Sequence, residues 1–325
     1  MDDSLMKGAS NQTRATLTSF GRVQQQMGVA EPFVWGRGAP DDPNLRPGGH
    51  IWDPSGPPDA GGVGLSTSLK ILQALGADGI FTDADGIFAA ASLLNQGSRH
   101  VDGSIQPSPL IAGLYAEPVC AFEARGPVDP GALARAEAEY VARAVPKRAG
   151  EFAAGRACAR RALAGLGITE FALRVGADRE PLWPAGVTGS ITHTAGFCGV
   201  VAARTAVVAS LGLDAERRDA VHRRLWRRIA TPEELAWLES LAPDLAPDMA
   251  ALIFSAKEAF YKCQFPLTRE WLDFSAVSVS VGPGSFEVRP RRALALESLA
   301  RPPWRGRHAL DRSLILTGCS LPRRL

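Results

Sequence analysis

The decapeptide VVASLGLDAE (207–216) joins an apolar run to a D-x-E pair, and its reading decides how the chain is built. On an extended strand, alternate residues point to one side. Asp214 and Glu216 then share a face at the C-terminal end of a strand buried along 207–213. Two carboxylates so close repel one another, and burial raises that cost unless a cation neutralises them. Hard oxygen ligands of this kind suit Mg²⁺, which keeps several waters and also takes substrate phosphate oxygens. The same residues fit a solvated acidic turn entering a helix, whose N-terminus favours acids. Arginines at 217, 218, 223, 224, 227 and 228 follow, on a stretch that reads as a long polar helix.

Downstream, TPEEL (231–235) carries a helix start: Thr231 caps, Pro232 takes the first helical position and Glu234 completes a capping box. FSAKEAFYK (254–262) holds no glycine or proline and reads as helix, which places Glu258 and Lys262 four apart on one face. An isolated pair of this spacing is ordinarily a solvated surface ion pair. LDFSAVSVSVG and GSFEVRP, after it, read as two strands of an antiparallel pair.

Upstream, VTGSITHT, FCGVVAAR and AVVASLGLDAE are short β-prone runs whose glycines permit bulges and close backbone approach. The first contains His193 between small residues, beside the hydroxyls of Ser190, Thr192 and Thr194. It fits a hydrogen-bonded structural histidine, or a donor to a phosphate helped by those hydroxyls. Residues 131–145 and 147–166 are rich in strong helix formers, with Pro146 between them. On the second segment Arg148, Phe152, Arg156 and Arg160 fall at four-residue steps, as a basic stripe. Such a stripe is either a solvated face or an anion site, for which the planar guanidinium is suited.

Composition narrows the class. Of 325 residues, 46% are hydrophobic and 22% charged, as in ordinary globular chains. The apolar runs are too short to span a bilayer, and the N-terminus lacks the basic start and apolar core of a secretory signal. Five scattered cysteines without C-x-x-C spacing argue against a disulfide framework or zinc site, and for a reducing cytoplasm. A net charge of +2 does not by itself imply nucleic acid.

The first hundred residues differ from the rest. Residues 36–64 are dense in glycine, proline and aspartate, and are expected to be disordered, with a short helix possible at 69–75. The pentapeptide ADGIF occurs at 77–81 and again at 84–88, which reads as a short tandem duplication. IFTDADGIF (80–88) resembles the D-x-D-G loop of haloacid-dehalogenase-type phosphatases, with Asp83 and Asp85 as nucleophile and acid. The α/β pattern that loop requires does not follow it.

Four segments in order carry a stronger resemblance. KRAGEFAAGRACARRAL (147–163), EPLWPAGVTGSITHT (180–194), GLDAE (212–216) and FSAKEAFYK are similar to the motif set of the 4′-phosphopantetheinyl transferases. More narrowly, they resemble the single-chain, pseudo-dimeric class that serves siderophore, non-ribosomal peptide and polyketide synthases. The departures are mild: Leu213 replaces a β-branched residue, and Phe254 stands where many members have tryptophan. The match runs over roughly 109–325.

The resemblance implies an enzyme that moves the phosphopantetheine arm of coenzyme A onto a serine of an apo carrier protein, releasing 3′,5′-ADP. Asp214, Glu216 and Glu258 would hold Mg²⁺, and Glu258 would deprotonate the serine. Lys257 and Lys262 would be flanking cations, with Lys262 serving the departing phosphate. His193 and Thr192 would donate to phosphate oxygens, and Arg148 and Arg156 would grip the 3′-phosphate, with Lys147 and Arg160 as neighbours. The implied fold is α+β: two similar halves, each a small antiparallel sheet on a long helix, related by a pseudo-twofold, with the active site in the cleft. The expected division is 1–108 as a low-complexity extension, 109–212 as the coenzyme A half and 213–325 as the metal half. A cytoplasmic monomer is expected, with carrier proteins or carrier domains as partners and no nucleic acid or membrane. The small trimeric class of the superfamily has about half this chain length, and a non-catalytic binder would lack a metal ligand or lysine, none of which is missing here.

Overall fold

The computed structural model describes residues 105–323 apart from Pro127, Ala195 and Arg312. The expected disorder at 36–64, the helix at 69–75, the ADGIF duplication and the Asp83/Asp85 loop lie outside the described residues.

The described chain is mixed α and β, with two antiparallel sheets. The first has four strands in the order β1-β2-β4-β3, from β1 (Ile105–Pro107), β2 (Cys120–Arg125), β3 (Val187–Thr194) and β4 (Phe197–Arg204). The second has five, in the order β5-β9-β8-β7-β6. These are β5 (Val208–Arg217), β6 (Val277–Gly282), β7 (Ser285–Pro290), β8 (Trp304–Leu310) and β9 (Leu314–Pro322). Helices α1 (Pro109–Ala112), α2 (Arg135–Val141) and α3 (Pro146–Gly165) belong with the first sheet. Helices α4 (Trp226–Ile229), α5 (Pro232–Ser240) and α6 (Ala246–Thr268) belong with the second.

Alternation along the strands builds three cores. Val200 and Ala202 of β4 pack with Cys158, Ala162 and Leu163 of α3. Val201 and Ala203, on the opposite face, meet Leu211, Leu213 and Ala215 of β5, so the first sheet is covered on both sides. The third core lies around α6, where Phe254, Phe260 and Phe265 pack with Val279, Phe286 and Trp304. β5 is therefore buried on both faces, as its apolar run implies.

The two edge strands β3 and β5 run side by side. Ser190 Oγ accepts from Leu213 N at 3.0 Å, and Thr192 Oγ1 accepts from Ala215 N at 3.0 Å. Hydroxyls two residues apart on β3 thus satisfy amides two apart on β5, closing an edge that would otherwise expose unpaired N–H groups. Ion pairs add ties between the layers: Arg125 to Asp311 at 2.7 Å, and Arg269 to Glu180 at 2.6 Å.

Two expected elements differ. The polar helix over 217–228 does not form. β5 continues to Arg217, with Glu216 opposite Ile315 and Arg217 opposite Leu314 in the ladder to β9. A 3₁₀ turn (Arg223–Leu225) and the four-residue α4 follow, because Val221, Leu225, Trp226 and Ile229 are drawn into the α6 core. The helix expected over 131–145 is broken into a 3₁₀ turn (Pro130–Ala132) and the short α2. The cause is Glu137, which is fully buried and accepts from Ala134 N, Leu173 N and Arg160. The capping box at Thr231 forms as read, with Glu234 N donating to Thr231 Oγ1 and Thr231 N to Glu234.

Candidate active site

Helix α6 crosses β5 at Gly212. A Cβ there would lie 1.9 Å from Ala259 O, so only glycine lets the helix approach so closely. Ser255, Glu258, Ala259 and Lys262, spaced three and four apart, make the helix face turned to the strand. On the strand, Gly212, Asp214 and Glu216 share the facing side. D-x-E and K-E-x-x-x-K are thus brought together by one helix–strand crossing.

Asp214 is held from three sides. Oδ1 accepts from Lys262 Nζ at 2.6 Å and from Thr192 Oγ1 at 3.3 Å, and Oδ2 accepts from Ser255 Oγ at 2.8 Å. Lys262 Nζ also donates to Leu213 O at 3.2 Å. Burial alone would depress the Lys262 ammonium, but Asp214, Glu258 and Glu216 around it push its pKa up. Glu216 is buried and its carboxyl is raised well above the usual range, first by burial and then by the charges of Asp214 and Glu258. Its Oε2 is buried without a hydrogen-bond partner. Among the described residues, no three His, Cys, Asp or Glu side chains stand together as a finished metal cage. The site is instead three buried carboxylates, of which Glu216 feels the charge of the other two, with one lysine among them.

His193 sits near the end of β3, buried at the β3–β5 seam. Burial, then Arg148, Lys262 and Lys147, hold its pKa down to about 3, so the ring is neutral. Arg148 NH1 lies 3.2 Å from His193 Nε2. An arginine only donates, so Nε2 accepts and the ring proton resides on Nδ1. The basic stripe of α3 divides by environment. Arg148 faces His193. Arg156 is fully buried with its guanidinium 4.1 Å from the Phe152 ring centre, and burial pulls its pKa to about 10. Arg160 turns away to Glu137 at 2.7 Å and Ala132 O at 2.8 Å.

Lys257 is not brought to the carboxylates. Its ammonium donates to Ile229 O, Glu234 Oε2 and Phe274 O at 2.9, 2.7 and 2.7 Å, which uses all three protons inside the core around α6. One residue along a helix is a turn of about 100°, so the neighbour of Glu258 faces elsewhere. Thr192 likewise spends its hydroxyl within the protein, between Ala215 N and Asp214.

A cavity of about 310 Å³ continues the seam from Lys262, lined by Arg156, Glu180, Trp183, Ser190 and Arg269 among others. Trp183 Nε1, on its wall, is buried without a hydrogen-bond partner. The arrangement can seat a polyanionic ligand along the seam, with cations at Arg156 and Lys262 and carboxylates beside its reacting end.

Family models match on both sides of this seam: the 4′-phosphopantetheinyl transferase N-terminal domain over 136–203, and the 4′-phosphopantetheinyl transferase superfamily over 210–302. The chain is 38% identical over 192 residues to the 4′-phosphopantetheinyl transferase PptT of Mycobacterium tuberculosis, a match covering 57% of this chain and 84% of that protein. The chain belongs to the 4′-phosphopantetheinyl transferases. It is also 46% identical over 158 residues to the transferase Svp of Streptomyces mobaraensis, covering 47% of this chain and 63% of that one. With enterobactin synthase component D of Escherichia coli it shares 36% over 137 residues, covering 41% and 63%.

Sequence reasoning did not single out Ser255 and Thr317 in this phosphopantetheinyl transferase, nor Glu180, Trp183 and Arg269 on the cavity wall. Ser255 carried a legible signal, since it stands three and seven residues before Glu258 and Lys262 on a helix. Thr317 carried none, because its place opposite Asp214 depends on the β5–β9 register.

Proposed function

We propose that this chain transfers the 4′-phosphopantetheine arm of coenzyme A to a serine of an apo carrier protein and releases 3′,5′-ADP. The observation that carries this reading is the meeting of Asp214, Glu216, Glu258 and Lys262 at one crossing, at the end of a cationic seam. Family membership supports it.

The donor set fits a hard divalent cation. Glu216 presents a buried, orphaned carboxylate oxygen, and its neighbours Asp214 and Glu258 add oxygen ligands. Asp214, Glu216 and Glu258 would therefore hold Mg²⁺. When bound, Mg²⁺ supplies neutralisation of the pyrophosphate charge. The chain's own residues do the rest by positioning and charge. Glu258 takes the proton of the carrier serine, directly or through a water. The serine oxygen forms a bond to the phosphorus bearing the pantetheine, and the bond to the bridging oxygen of 3′,5′-ADP breaks, its electron pair leaving with that oxygen. Lys262 stabilises this oxygen and supplies a proton to it.

Arg148 and Arg156 bind the 3′-phosphate, and His193 donates to a phosphate oxygen from its protonated nitrogen. Thr192 acts through Asp214, whose carboxylate it orients. Lys257 acts as a structural cation that locks α6 to α5 and β6. The two halves are related by a pseudo-twofold with a sheet and a long helix in each; β1 starts the first half at Ile105 rather than the expected 109, β5 starts the second at Val208 rather than 213, and the residues before β1 are an extension. The exposed Arg223, Arg224 and Arg227, in the turn and short helix that follow β5, suit the acidic face of a carrier protein. The enzyme acts as a cytoplasmic monomer. Among the described residues, no helix is long and apolar enough to cross a membrane.

The test is incubation of the protein with coenzyme A, Mg²⁺ and a panel of apo carrier proteins, read by intact mass. Addition of one arm per carrier, matched by 3′,5′-ADP, is expected. No addition on any carrier would remove the reading. Charge reversal at Arg223 and Arg224 should raise the apparent KM for carrier at low salt, and an unchanged value would dismiss that surface.

A further inference from the structure

Asp214 and Thr317 stand directly opposite one another in the β5–β9 ladder, so both side chains project from the same face of the sheet toward α6. Ser255 meets them there. Ser255 Oγ lies 2.8 Å from Asp214 Oδ2 and 2.8 Å from Thr317 Oγ1, and Thr317 Oγ1 donates to Ser255 O at 2.9 Å. Ser255 and Thr317 are both fully buried.

Two hydroxyl protons serve these three contacts. The carboxylate of Asp214 accepts only, so the proton of Ser255 goes to Oδ2. The proton of Thr317 then goes to Ser255, shared between its carbonyl and hydroxyl oxygens. Each donation polarises the next, and in a dry interior such a chain strengthens the final bond. We propose that Thr317 and Ser255 form a hydroxyl relay that fixes the carboxylate of Asp214, and so act as positioning residues for the divalent cation. The proposal rests on the reading of Asp214 as a metal ligand.

Oδ1 is already occupied by Lys262 and Thr192. Ser255 is the donor that holds the other oxygen, Oδ2, and so fixes the direction in which it points. Without that donor, Asp214 turns toward Lys262 and Oδ2 loses its fixed direction. A purely structural role would lower stability and leave ion binding alone. A positioning role lowers ion affinity in a folded protein.

The experiment measures Mn²⁺ binding by electron paramagnetic resonance on the full chain with coenzyme A, beside the Mg²⁺ dependence of transfer. Ser255→Ala and Thr317→Val are expected to weaken Mn²⁺ binding by about tenfold, the usual effect of losing an outer partner of a metal ligand. The Mg²⁺ concentration for half-maximal rate should rise in parallel, while the rate at saturating Mg²⁺ largely recovers. Thr317→Ser, which keeps the hydroxyl, should restore binding. Should Thr317→Val fail to fold, Ser255→Ala decides alone, with its melting curve as the control for folding. Parental Mn²⁺ affinity in folded Ser255→Ala, with affinity lost in Asp214→Asn, would overturn the relay and leave the metal reading standing. Parental affinity in Asp214→Asn as well would overturn both.

Discussion

Glu216 shows how far the site departs from a stable core. It is a carboxylate with a buried, unpartnered oxygen, pushed toward its neutral form by burial and by Asp214 and Glu258. An uncompensated buried charge is destabilising, and an isosteric neutral group relieves it. Glu216→Gln should therefore melt higher than the parent in metal-free buffer, by an amount on the order of 1 kcal/mol, and should lose transfer activity. A variant that melts lower while keeping activity would make Glu216 a structural residue. His193 gives a pH signature of definite sign. Its pKa in the folded protein is held to about 3, against 6.5 for an ordinary histidine. Between those values the unfolded chain binds a proton that the folded chain refuses, so the group's contribution to stability is present above pH 6.5 and lost as the pH falls toward 3. Denaturation of the parent and of His193→Gln across this window should show the parent losing about 1.4 kcal/mol per pH unit more than the variant. Parallel curves would mean that the ring takes up its proton in the folded protein as it does in the unfolded chain.

At the scale of elements, α6 is fixed on opposite faces by opposite kinds of contact. One face meets β5 through Gly212 and Ala259, and the other is pinned by Lys257 to Glu234 at 2.7 Å. Glu234 serves three partners at once: Lys257, the cap of α5 at Thr231 N and Val279 N on β6. Lys257→Met removes one partner of a buried pair and should cost about 3–5 kcal/mol, while the protein that remains folded keeps its kcat. A stable variant with lost turnover would instead return Lys257 to the phosphate.

Much of this was legible in the chain. The β-prone runs of 187–217, the helix holding Glu258 and Lys262 and the capping box at Thr231 follow from periodicity and local chemistry. The polar helix after Glu216 did not, since cross-strand pairing with β9 keeps the chain extended where the local pattern permits a helix. Lys257 and Thr192 show the same limit. Residue type and motif place them near the site, but the partners that consume their protons come from distant segments.

On the scale of the molecule, the site exists because two sheets meet edge to edge. Ser190 and Thr192 stitch β3 to β5, and the ion pairs of Arg125 and Arg269 hold the layers together on either side. All of these residues lie after residue 104, within the described region. A variant beginning at residue 105 should fold and transfer the arm as the full chain does, by circular dichroism and intact-mass assay. Loss of activity in a folded truncation would give the first hundred residues a part in the reaction.

The central claim is that the face of α6 turned to β5 performs the transfer. Glu258→Gln tests it most directly, since the exchange keeps size and shape and removes only the charge and the basic oxygen. Single-turnover transfer to an apo carrier, followed by intact mass at saturating coenzyme A and Mg²⁺, should slow by about 10²–10⁴-fold with an unchanged melting curve. A Glu258→Gln variant that transfers the arm at the parental rate would contradict the account.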